Sequence, residues 1–222
     1  MSEEIIRADF DRIASLSNCH TDHNPYEKYL VAQLPRFCAN ALEVGCGTGA
    51  FTRLLAQRAG TVQALDLSPV MIQLAIERSR DYQNIEFRVA NITQTELAPA
   101  HFDCIVSLAT MHHLPQKATL EKLKRGLKPG GTLLINDLFA PDGLFDLAAS
   151  GVALWANAGR QLIKYRRLRS PRALREAWQE HGRHDTYLTL TQLRQLRNES
   201  LPGARIKRHL LWRYSLVWQK RS

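Results

Sequence analysis

Three glycines at alternate positions, Gly45, Gly47 and Gly49, stand in the run LEVGCGTGAFT two residues after an acid, Glu43. Glycine at such spacing lets a chain turn sharply out of a strand and into a helix, and lets backbone approach a ligand with no Cβ between them. The first amides of that helix lack partners and its dipole is positive there, so the loop suits an anionic or polar ligand: a dinucleotide, a phosphate or another group. Asp66 ends the apolar run VQALD, 17 residues after Gly49. A carboxylate at that point can accept the protons of both ribose hydroxyls, as acids do in dinucleotide folds. His112 and His113 follow a further apolar run, and histidine titrates near neutrality, which suits a base or an orienting group. Helix-start packing would explain the same pair. Asp137, at the end of the run TLLINDL, would face the crevice where open α/β sheets bind ligands. His20, His23 and Tyr26 become candidates if the N-terminal segment folds over the site. Cys46 sits inside the loop, where a small side chain is the requirement rather than a nucleophile.

These groups need elements that bring them to one edge. Strand-like runs fall near 41–45, 62–66, 85–90, 103–108 and 132–138, and helical stretches at 50–59, 69–80 and 116–127 lie between them. Ser68 and Pro69 give an N-cap followed by proline at the first helical position. Lys128-Pro129-Gly130-Gly131 stops the third helix and turns the chain into the next strand. Repeated strand–helix units of this length imply a parallel sheet with right-handed crossovers. The ending differs: Thr191 caps a short helix, TQLRQLRNES, and then ARIKRHLL and YSLVWQK are separated by little more than Trp212 and Arg213. So short a join makes those two strands antiparallel. The sum is a seven-stranded mixed sheet.

With 222 residues, 45% of them hydrophobic, the chain can bury one α/β core. It reads as a single domain over 1–222, with an N-terminal helical cap at 1–38 and a helical insertion at 140–190. The opening MSEEIIRADFDR has no apolar core of a secretory signal. Cys19, Cys38, Cys46 and Cys104 show no paired metal-ligand spacing, so no metal is expected from them and a reducing, cytoplasmic setting is. Net charge is +9, and residues 151–222 hold 16 Lys+Arg against 4 Asp+Glu. That surplus is a solvated basic face or a surface for an acidic partner. Residues 143–159, GLFDLAASGVALWANAG, are too short for a confident membrane span. They read as a buried helix, as a lid over an apolar pocket, or as a peripheral membrane helix followed by the basic IKYRRLR.

Glu43-x-Gly45-x-Gly47-x-Gly49, Asp66, FDCIVSLATMHHL and LKPGGTLLINDLF together resemble the class I S-adenosylmethionine-dependent methyltransferases of the small-molecule branch. The resemblance covers residues 40–139 closely. It implies a Rossmann-like three-layer α/β sandwich whose seven-stranded, mostly parallel sheet has an antiparallel C-terminal strand, with a helical lid insertion. It implies S-adenosylmethionine as cofactor and S-adenosylhomocysteine as product. Gly45, Cys46, Gly47 and Gly49 would form the cofactor loop, and Glu43 with the backbone at Leu108 and Ala109 would hold the methionine end. Asp66 would hold the ribose, Leu67 and Met71 would flank the adenine, and Ile92 would join the cofactor site. Where the family carries an acid after the third strand, this chain has Asn91, whose carbonyl can accept the same hydrogen bond. His112, His113 and Asp137 would stand where chemistry occurs.

The implied reaction is methyl transfer to a small apolar or anionic acceptor, with the O-, N- or C-atom open. Nucleic-acid modification over the basic C-terminal surface is the less favoured alternative. The Asp/Asn-Pro-Pro-aromatic turn and the Pro-Cys pair of base methylation are both missing, as are the signatures of metal-dependent catechol enzymes. A nicotinamide-dependent oxidoreductase or a non-catalytic nucleotide-binding module is the alternative of another class. The antiparallel hairpin and the acid before the glycines argue against it.

Overall fold

All seven expected strands form: β1 (Cys38–Val44), β2 (Ala59–Asp66), β3 (Ile85–Val89), β4 (Phe102–Leu108), β5 (Leu127–Leu138), β6 (Arg205–Arg208) and β7 (Arg213–Gln219). The computed structural model describes residues 3–16, 24–141, 172–183 and 185–221. His20, His23 and the stretch 143–159 lie outside the described residues. The helices are α1 (Glu3–Leu16), α2 (Glu27–Gln33), α3 (Ala50–Ala56), α4 (Pro69–Arg78), α5 (Gln116–Gly126), α6 (Arg172–Gly182) and α7 (Leu190–Ser200), with a 3₁₀ turn at Met111–His113.

The strands make one sheet in the order β3-β2-β1-β4-β5-β7-β6. β1 to β5 run parallel, and β7 lies antiparallel between β5 and β6. The order reverses between β1 and β4, which opens a crevice at their carboxyl ends. Successive residues of the central strands feed opposite faces. Leu42, Ile105 and Leu133 join one apolar layer with Leu120 and Leu193, and Ala41, Val106 and Leu134 join the other with Leu30 and Leu55. Both faces of the parallel sheet are thus covered by helices. α1 crosses the edge of this frame, where Ile13 and Ala14 bury against Met71 of α4 and Leu174 and Ala177 of α6. None of the described helices is long and apolar enough to cross a membrane.

Three local expectations need correction. The last helix is capped by Thr189, not Thr191: Thr189 and Gln192 form a reciprocal capping box, so the helix opens two residues earlier. Lys128 to Gly131 is not a separate turn but part of β5. Phe102 pairs with Leu127 and Cys104 with Thr132, so the four residues make a bulge opposite β4, with Gly130 at φ +78°. The final hairpin has a four-residue loop, 209–212, and Arg213 belongs to β7. Leu211 and Trp212 both take positive φ to close it.

Candidate active site

A cavity of about 810 Å³ opens over the carboxyl ends of β1, β2 and β4 and beneath α1, within the size range of small-ligand sites. Its first wall is the glycine loop. All three glycines take positive φ, +75°, +51° and +75°. Their reasons differ. A Cβ on Gly45 would lie 1.9 Å from the Thr110 hydroxyl, so Gly45 is dictated by the loop after β4 rather than by a ligand. A Cβ on Gly49 would press on Phe87 and Ala75. A Cβ on Gly47 would meet nothing within 4 Å, because Gly47 faces open cavity. Gly47 alone is the bare backbone that a ligand would lie against.

The loop amides are not left free. Gly45 and Cys46 donate to the Leu65 carbonyl at 2.8 and 3.0 Å, Gly47 donates to Asp66 Oδ2 at 2.8 Å, and Gly49 donates to the Cys46 carbonyl at 2.9 Å. A phosphate cradle needs unpaired N–H groups. This loop spends three of them on β2 and one on itself, so it suits a ligand without phosphate at that point. The expectation of an anionic or polar ligand at bare amides is thus corrected at Gly45, Cys46, Gly47 and Gly49, and the pairing leaves the first amides of α3 aside.

Asp66 accepts from Gly47 and, through Oδ1, from Ser68 N at 2.9 Å. Burial raises its pKa, against the pull of those amides. Each oxygen keeps a second lone pair for a hydroxyl donor. Glu43 is 1% exposed beneath the loop and accepts from the Thr52 hydroxyl at 2.5 Å. Burial raises its pKa to about 8. Leu67, Met71 and Ile92 border the cavity, as do Leu108 and Ala109. Ala109 sits at φ +51°, a costly conformation for a residue with a Cβ, and its N–H is tied to the Asn136 carbonyl at 2.7 Å. Met71 also packs in the α1–α4–α6 cluster, so it serves core and cavity together.

Asn91 is placed at the cavity but not as expected. Its carbonyl accepts from both the amide and the hydroxyl of Thr93, at 2.9 and 2.8 Å, which fills both lone pairs. Its amide donates to Glu3 Oε2 at 2.7 Å, and Gln94 donates to the same oxygen at 2.9 Å. The carboxylate at this end of the cavity therefore arrives from α1.

Cys46 is buried, and burial raises its thiol pKa far above the ordinary range, which disfavours a nucleophilic thiolate. Cys38 is pushed up to about 11 by burial.

The second wall carries the histidines. His112 donates its backbone N–H to Asp137 Oδ2 at 2.9 Å, and its Nδ1 lies 2.6 Å from Asp137 Oδ1. The fold thus joins two of the three residues singled out for chemistry. The third, His113, lies beside His112 with ring centroids 3.8 Å apart and the ring planes tilted by 48°. Burial lowers the His113 pKa, with Asp185 opposing. Asp185, His181, Tyr187 and Arg213 line the same wall and were not foreseen as site residues. Asp185 is held by the Tyr187 hydroxyl at 2.7 Å; burial would raise its carboxyl pKa, but that hydroxyl and the neighbouring His113 and His181 imidazoles outweigh burial and bring it down to about 2. His181 Nδ1 lies 3.1 Å from Asp9 Oδ2 of α1. The sequence offered one signal for this group, a spacing of four between His181 and Asp185 at the end of α6. Nothing local connected it to His112.

A protein-family model described as a methyltransferase domain matches residues 42–135. An uncharacterized methyltransferase of Mycobacterium tuberculosis is 30% identical over 201 residues, covering 87% of this chain and 93% of the relative. The ubiquinone biosynthesis O-methyltransferase of Xanthomonas campestris is 27% identical over 164 residues, covering 68% of this chain and 69% of that protein. The solved structure of the N-methyltransferase NodS from Bradyrhizobium japonicum, in complex with S-adenosylhomocysteine, superposes with a TM-score of 0.65. It is 18% identical, over 97% of this chain and 98% of that one. The self-paired glycine loop, the Asp66 strand end, the sheet order and these likenesses agree, and the chain belongs to the class I S-adenosylmethionine-dependent methyltransferases.

Proposed function

We infer that this enzyme methylates a small acceptor bearing an anionic group, inside the cavity between the glycine loop and the histidine wall. One observation carries the acceptor class. Arg213 lines the cavity, burial lowers its pKa, and its guanidinium has no hydrogen-bond partner among the described residues. The Asp137 carboxylate favours the charge of Arg213, whose five donors stay open to an oxygen of a ligand in the cavity. A carboxylate, phosphate or sulfate fits its fork. Phe10 and Tyr187 add apolar surface beside it.

S-adenosylmethionine, when bound, supplies a methyl group on an electrophilic sulfonium. The remaining work belongs to the chain. Gly47 gives it close approach, and Asp66 accepts from the ribose hydroxyls. Glu43, at the far side of the loop, holds the methionine ammonium. Glu3 offers the adenine amino group the carboxylate that Asn91 cannot. His112, held by Asp137, orients the acceptor, and α1 with α6 excludes water from the displacement. Nucleic acid is the weaker reading, since Lys207 and Arg208 of the basic edge strand lie over the rings of Tyr29 and Phe139.

The test is methyl transfer with paired acceptors that differ only in an acidic group, for the parent and for Arg213→Gln. The acid-bearing member should be preferred, and the variant should lose that preference about tenfold or more through KM, as the loss of charge-assisted hydrogen bonds requires. Equal use of both acceptors by the parent would remove the anionic class.

A further inference from the structure

Three imidazoles converge on one carboxylate in the second wall. His112 Nε2 lies 3.8 Å from Asp185 Oδ2, and His181 Nε2 lies 3.8 Å from the same oxygen. His113 Nδ1 lies 3.2 Å from Asp185 Oδ1. The side chains of His112, His113 and Asp185 are only 5%, 5% and 2% exposed. Yet His113 Nδ1 and Asp185 Oδ1 are misaligned for a hydrogen bond, and neither buried atom has another partner among the described residues. Two orphaned polar atoms facing each other in a buried site lack a shared binding partner.

The remaining geometry says what that partner is. One ligand atom from each of His112, His113 and Asp185 can be chosen so that all lie within 4.8 Å of one another. Tetrahedral coordination at 2.0–2.1 Å sets donors roughly 3.3–3.5 Å apart, a span that the two imidazole–carboxylate separations of 3.8 and 3.2 Å bracket. His112 has its other nitrogen on Asp137, and His181 has its other nitrogen on Asp9. A carboxylate behind an imidazole is the arrangement that fixes the tautomer and orients a metal-binding nitrogen. We propose that His112 Nε2, His113 Nδ1 and the Asp185 carboxylate form a divalent transition-metal site with an open position toward the cavity. Two imidazoles and one carboxylate suit zinc, iron(II), cobalt or manganese better than magnesium or calcium. No ion is present in the structure.

The site deepens the function inferred above and rests on it for its role. An open metal position beside the acceptor space binds an oxygen and makes its proton easier to lose. The acceptor atom is then a hydroxyl, phenol or enol oxygen. Its proton leaves to solvent, and the oxygen forms the new bond to the methyl carbon. The carbon–sulfur bond breaks with its electron pair staying on sulfur, and neutral S-adenosylhomocysteine remains. No electron is gained or lost by the ion.

The experiment titrates the full chain, purified metal-free, with cobalt(II) followed by its visible absorption, and with zinc(II) in a calorimeter. One equivalent of either metal should bind. His113→Ala and Asp185→Asn should each weaken it more than tenfold, and Asp137→Asn should weaken it by about 10–100-fold through the orientation of His112. S-adenosylhomocysteine affinity, measured on the same samples, should be unchanged in all three, which also shows that they fold. No stoichiometric metal in the parent, or unaltered cobalt spectra in His113→Ala and Asp185→Asn, overturns the site. Metal binding in a parent that binds no S-adenosylhomocysteine would uphold the site and sink the donor assignment.

Discussion

The two walls of the cavity are built differently. The donor wall comes from contiguous chain: β1, the glycine loop, α3 and the end of β2 lie within Cys38–Asp66, and its hydrogen bonds are local and complete. The acceptor wall is assembled from α1, the turn after β4, the end of β5, α6 and the start of β7. It carries crowded imidazoles, two orphaned polar atoms and an arginine with no hydrogen-bond partner among the described residues. A finished wall suits a fixed cofactor; an unfinished one suits groups that the acceptor or an ion must complete.

The glycines give the strongest way to break this contrast. Gly45→Val drives a side chain into Thr110 at a left-handed backbone position, and should cost about 3 kcal/mol or more of stability. Gly47→Val has room for its side chain, so the fold should survive with a loss of about 1–2 kcal/mol from the backbone alone. Its S-adenosylhomocysteine binding should vanish. Thermal melts with and without ligand separate the two; equal behaviour would mean that the loop has one role, not two. Asp66→Ala should weaken S-adenosylhomocysteine by about 1–3 kcal/mol, since charge-assisted hydrogen bonds are lost. Undiminished affinity in calorimetry would take Asp66 out of the site.

That asymmetry also explains what could be read from the sequence. Gly45, Gly47, Gly49 and Asp66 were legible because strand, turn and helix are encoded within about thirty residues. The topology followed from the alternation of apolar runs and the closeness of the last two. Asp185 and Arg213 were not legible, because only long-range packing of the segment after α6 and of β7 brings them to the cavity that His112 lines. Glu3 was hidden for the same reason: its partner Asn91 is 88 residues away. The free loop amides were misjudged because the Leu65 carbonyl and Asp66 come from another strand.

The donor wall should also show a proton of its own. Glu43 has its pKa raised by burial to about 8. Its neutral form is favoured by folding, so its contribution to stability is complete below the ordinary carboxylate pKa and declines as pH rises toward 8. A bound methionine ammonium reverses that preference. Binding of S-adenosylhomocysteine near pH 7 should therefore release protons, seen as a calorimetric enthalpy that varies with the buffer's ionisation enthalpy. Glu43→Gln should remove most of that release. A parent with no buffer dependence would separate Glu43 from the ligand.

The smallest effect is expected on the exposed seam between α1 and α6. Arg12 and Glu180 pair at 2.6 Å, but both side chains are about half exposed, at 51% and 55%. Glu180→Gln should change stability by less than about 1 kcal/mol. A larger loss would mean that the acceptor wall is held by its charges rather than by Ile13, Leu174 and Ala177 beneath them.

The donor assignment is tested most directly by thermal stabilisation with S-adenosylhomocysteine, NAD and ATP in parallel. At 100 times its dissociation constant a ligand stabilises the fold by about 2.7 kcal/mol, a rise of roughly 5–10 °C for a chain of this length. A rise with S-adenosylhomocysteine alone is the predicted result. A rise with NAD or ATP, and none with S-adenosylhomocysteine, would contradict the reading of the self-paired glycine loop as a seat for a ligand without phosphate.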